Sequence, residues 1–118
     1  MAFKFENLKV WQKSLSLSSE IGTICLNNFP DYEKFNLSNQ IRKASDSVVL
    51  NIAEGCTGQS NAEFARFLGY ALRSAIEVVG CLFIARDKQY LKQDIFKKYY
   101  DEYETLCKMI TKLRTSLQ

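Results

Sequence analysis

Histidine is missing altogether from this 118-residue chain, and proline occurs once. Without histidine, most zinc sites and every nucleophile triad that relies on an imidazole base are excluded. The four cysteines, Cys25, Cys56, Cys81 and Cys107, form no C-x-x-C pair, which removes the commonest thiolate metal and redox motifs. Charge of one sign is also scarce. Sixteen basic against 13 acidic residues leave a net +3, too little on its own to argue for nucleic-acid binding. The longest uncharged apolar run, Cys81-Leu82-Phe83-Ile84-Ala85, is far short of a bilayer span, and the opening MAFKFENLKV lacks the apolar centre of a signal peptide. These absences predict a cytoplasmic protein with no membrane contact.

What remains is an ordinary globular composition, 47% hydrophobic and 25% charged, sized for one domain burying roughly two thirds of its unfolded surface. Apolar spacing is helical almost throughout and never alternates with period two. The expected fold is all-α, an antiparallel up-and-down four-helix bundle occupying residues 1–118, with helices at about 7–28, 36–54, 60–86 and 92–116. In the first, Leu8, Trp11, Leu15, Gly22, Cys25 and Phe29 mark the inner face, and Phe29-Pro30 ends it. The second carries Leu37, Ile41, Ala44, Val48 and Ile52. The fourth repeats Ile95, Tyr99, Tyr103, Leu106, Ile110, Leu113 and Leu117 at steps of mostly three and four.

The stretch NIAEGCTGQSNAEF joins the middle helices. Gly55 suits the left-handed position that closes a helix, and Ser60 with Glu63 reads as a capping box opening the next. Gly55-Cys56-Thr57-Gly58 matches the phosphate-clamping loop of KH folds only in its glycines, since that loop needs flanking strands. Cys25, Cys81 and Cys107 read as buried thiols in helices; Cys56, in the turn, reads as the exposed one.

Two polar lines interrupt the apolar pattern. At about 100° per residue, Gln40, Ser47, Asn51 and Glu54 lie together beside the stripe of the second helix. On the third, otherwise apolar nearly all round, Arg66, Arg73 and Glu77 share an edge. An antiparallel hairpin brings Gln40 level with Glu77, Ser47 with Tyr70 and Asn51 with Arg66, within reach of Glu54. The expectation is a hydrogen-bonded seam that fixes register; the alternative is two independent solvent-facing lines. So much apolar surface on one helix needs more cover than a lone bundle gives. Leu72, Ile76 and Phe83, with Tyr90, Phe96 and Tyr100, are surplus to one small core, which predicts self-association.

Chemistry is sparse. Glu54 and Glu63 flank one turn where capping and the seam already employ them, so no catalytic, cofactor or metal residue is expected; an enzyme would have to use Glu54, Arg66 and Glu77. Lys97, Asp101, Glu104, Lys108 and Lys112 alternate in sign along one face, as a solvated surface does. A nucleic-acid reading would recruit Lys9, Lys13, Lys97, Lys98, Lys108, Lys112 and Arg114 as a weakly basic phosphate-contacting surface.

Several blocks, in order, carry a resemblance: Phe5-x-x-Leu8-x-Val10-Trp11-Gln12-Lys13, Phe29-Pro30, Gln40-Ile41-Arg42-Lys43-Ala44, Asn51-Ile52-Ala53-Glu54-Gly55, Glu63-Phe64-x-Arg66-Phe67-Leu68, then Ala71, Ser74 and Glu77. The chain resembles the 23S rRNA intervening-sequence protein family over nearly its whole length. The resemblance implies a four-helix bundle assembled as a ring-like homopentamer, and no enzyme. Some members are encoded within insertions in 23S rRNA genes. The accessory variability proteins of diversity-generating retroelements are similar in fold and bind nucleic acid and reverse transcriptase through a basic surface; here Gln59 stands where many relatives carry a basic residue. The resulting expectation is a non-enzymatic homo-oligomeric assembly or interaction module, with nucleic-acid binding as the alternative.

Overall fold

The computed structural model describes residues 3–118. Four helices carry the fold, α1 (Lys9–Asn28), α2 (Leu37–Cys56), α3 (Asn61–Asp87) and α4 (Gln93–Ser116), with short 3-10 turns at Lys4–Asn7 and Asp31–Glu33. Consecutive helices pack side by side, α4 returns to α1, and no strand occurs among the described residues. This is the expected four-helix bundle. The closure is uneven: α2 and α3 share the largest interface, α1 and α4 the smallest.

Leu37, Ile41, Ala44, Val48 and Ile52 are all buried, as the α2 stripe predicts. They meet Leu68, Ala71, Ala75, Val78 and Leu82 of α3 and Tyr103, Leu106 and Ile110 of α4 in one core. On α1 Cys25 and Phe29 are buried as expected, but further toward the N-terminus the inner face is rotated from the expected one. Val10, Ser14, Leu17, Ile21 and Ile24 point inward, while Leu15 is 44% exposed. The Ser14 hydroxyl donates to the Trp11 carbonyl at 2.7 Å, which lets a polar residue occupy the core at little cost.

The α2–α3 turn also differs in detail. Gly55 lies inside α2, and no glycine among the described residues has positive φ. Its lack of a side chain serves proximity: a Cβ there would stand 2.6 Å from Cβ of Phe67. Because α2 runs on to Cys56, that thiol is buried, 5% exposed, and is not the accessible one. Ser60 caps α3 as expected, accepting from the Glu63 amide at 3.1 Å, but the return bond of the expected capping box, from the Ser60 amide to the Glu63 carboxylate, is not made among the described residues.

Several surplus aromatics find partners within the chain. Phe96 is buried, and Phe83 and Tyr100 pack on it with ring centroids 5.0 and 5.8 Å away. Tyr90 donates to Glu33 at 2.8 Å and shares a 2.9 Å hydrogen bond with Tyr32, tying the α3–α4 connection to the α1–α2 connection.

Candidate interaction surface

Of the predicted seam, one link forms across α2 and α3: the Ser74 hydroxyl donates to that of Ser47 at 2.9 Å. Asn51 adds a bond along its own helix, donating to the Ser47 carbonyl at 2.8 Å and hydroxyl at 3.0 Å. The rest is a correction. Gln40, Glu54, Arg66, Tyr70, Arg73 and Glu77 are exposed, and no hydrogen bond or ion pair joins them among the described residues. Ser47 faces Ser74 and not Tyr70, one turn further along α3. Side chains lean toward the N-terminus of their helix, away from the turn on α2 and toward it on α3, so contacting residues lie further along α3 than backbone level suggests. Charged groups placed outside that contact stay hydrated, which costs less than a buried ionic network.

The outward face of α3 combines these polar groups with apolar ones. Ile76 is 64% exposed, and Phe83 and Ile84 are each 43% exposed. A Cβ at Gly80, between them, would meet nothing within 4 Å, so this part of the helix is open. Alone among the described helices, α3 is long and apolar enough to cross a membrane by length and composition, with a mean hydropathy of 1.6 over its best window. Isolated charges such as Arg73 and Glu77 break its uncharged runs without lowering the average much.

Three of the basic candidates already have acidic partners. Lys13 pairs with Glu102 at 2.8 Å, Lys97 with Asp101 at 2.7 Å and Lys108 with Glu104 at 3.9 Å. The hydrogen bond from Lys97 to Asp101 holds its ammonium above the usual lysine range. Lys98 lies over the Tyr99 ring, 5.2 Å from its centroid. Lys9 and Lys112 flank a groove of about 370 Å³ whose apolar wall includes Leu8, Val10, Met109 and Leu113. Arg114 lies apart from these lysines, against Gly69 of α3.

Burial pushes all four thiols up, Cys81 to about 11, so they stay protonated and weakly nucleophilic. Among the described residues no group of three or more histidine, cysteine, aspartate or glutamate side chains is placed to hold a metal ion.

The sequence model of the 23S rRNA-intervening sequence protein matches residues 6–112. A solved structure of a protein of unknown function from the S23 ribosomal protein family of Bacteroides thetaiotaomicron superposes with a TM-score of 0.80 at 24% identity, covering 90% of this chain and 95% of that one. At that identity the likeness establishes the fold. No curated protein matches the chain.

Proposed function

Because the chain belongs to the 23S rRNA-intervening sequence protein family, and its solved structural neighbour is of unknown function, we propose that it works in the cytoplasm as a homo-oligomeric interaction module and not as an enzyme. One observation carries this reading: Ile76, Phe83 and Ile84 stand exposed in a row on α3 around the open backbone of Gly80. A contiguous apolar strip of this kind is costly in water and is covered in a functional state. A second copy fits better than lipid, since Arg66, Arg73 and Glu77 share the exposed face and would be stripped of water in hydrocarbon. Seated on a different face of the next copy, the strip would make a head-to-tail contact, which closes into a ring when the rotation between copies allows, and the resemblance implies five copies. Light scattering on the purified protein is the test: a mass several times that of the monomer supports the reading, and a monomer at micromolar concentration removes it.

Nucleic-acid binding is the second reading, favoured by Lys9 and Lys112 on one groove. A ring would repeat that pair around its rim. Salt-sensitive retardation of RNA or DNA near physiological ionic strength would support it.

A further inference from the structure

Three arginines without acidic partners surround one concavity between α3 and the end of α4. Arg66 and Arg73 stand seven residues apart on α3, on the same side and about 10 Å apart along its axis. Arg114 reaches across from α4. Together they line a cavity of about 310 Å³ with Tyr70, Leu72 and Ile76. None of the three takes part in an ion pair among the described residues. Glu77, one turn beyond Arg73, does not pair with it.

Arg114 is held for this position. Its guanidinium lies so close to Gly69 that a Cβ there would come within 3.3 Å of Nη2. Its Nε is buried with no hydrogen-bond partner, although a buried donor left unmade costs about 1–3 kcal/mol. Three guanidiniums without acidic partners around one cavity form an arrangement that an anion would complete. Guanidinium forks match phosphate oxygens two at a time.

We propose that this pocket binds a phosphate monoester, the terminal phosphate of a nucleotide or of a polynucleotide 5′ end. Three cations lining one cavity from two helices suit a phosphate dianion better than a singly charged carboxylate. Leu72, Ile76 and the Tyr70 ring supply an apolar ledge for the sugar and base beside the phosphate. The site adjoins the apolar strip, sharing Ile76 with it and drawing Arg66 and Arg73 from the same exposed face, but its whole lining comes from one chain, so a monomer suffices to form it.

Calorimetric titration of the full-length chain tests this, with AMP, adenosine, inorganic phosphate, and one RNA oligonucleotide with and without a 5′-phosphate as probes. AMP should bind at least about tenfold more tightly than adenosine. Arg73→Gln and Arg114→Gln should each lower AMP affinity about tenfold with melting temperatures near that of the parent, and Gly69→Ala should weaken it by displacing Arg114. Lys97→Gln should change nothing. Preference for the 5′-phosphorylated oligonucleotide over AMP would assign the site to a strand end; equal binding would assign it to a mononucleotide. Equal binding of AMP and adenosine, or arginine variants that bind as the parent does, would overturn the proposal. Light scattering on the same samples reads assembly separately, so loss of one property leaves the other measurable.

Discussion

Gly55 and Gly22 are both helical glycines, yet replacing them should have opposite effects. A Cβ at Gly55 would press on Phe67 and Phe64, whereas one at Gly22 would touch nothing within 4 Å. Gly55→Ala should therefore cost about 1–3 kcal/mol, the usual penalty for overpacking, and Gly22→Ala should gain about 0.5–1 kcal/mol through helix propensity. Urea denaturation of the two variants reads both signs. Glu33 allows a second test at this scale. The hydrogen bond from Tyr90 holds its carboxyl below the usual range, outweighing the opposing effect of burial, with Asn36 and the Leu37 amide adding acceptance. A depressed carboxyl contributes stability above its unfolded value of about 4.3 and loses it as pH falls through the lower folded value. Tyr90→Phe should thus lower the melting temperature at pH 7 by more than it does in acid, where Glu33 takes up its proton.

Among the elements, the α2–α3 pair shows what the sequence discloses and what it withholds. The α2 stripe from Leu37 to Ile52 and the Ser60 cap were legible because each depends on spacing within one helix. The pairing of Ser47 with Ser74 was not, since it depends on how side chains lean across an interface, and a one-turn offset separates a partner from a bystander. The same limit hid the arginine pocket: the periodicity of α3 places Arg66 and Arg73 on one face with Gly69 between, but only the packing of α4 brings Arg114 there. If the serines act as a pair, Ser47→Ala and Ser74→Ala should each cost about 1 kcal/mol and the double variant less than their sum. On α4, burial pushes Tyr99 up to about 12, with Glu20 reinforcing it, and raises Tyr103 further. An unfolded chain releases these protons near pH 10 while the folded one retains them, so stability is intact below pH 10 and falls as pH rises beyond it. Thermal melts between pH 8 and 11 should show that decline, and Tyr99→Phe should soften it.

For the whole molecule, the exposed strip on α3 and the sparse α1–α4 contact set the expected behaviour. Ile76→Glu places a charge in the strip without touching the core and should shift the light-scattering mass toward the monomer while the helical circular dichroism stays unchanged. Hydrogen exchange should find α1 opening before α3, because α3 is packed on both sides by α2 and α4 whereas α1 leans mainly on α2.

Leu8 and Val10 at the head of α1 share a groove with Leu113 and Ser116 near the foot of α4. The two ends of the bundle's path therefore lie side by side, within the span of a short glycine-serine tether. Splicing them and cutting the backbone afresh between Asp87 and Gln93 would reorder the helices while preserving their neighbours. Covalent sequence would then be a convenience of synthesis, and the architecture would belong to the faces that meet.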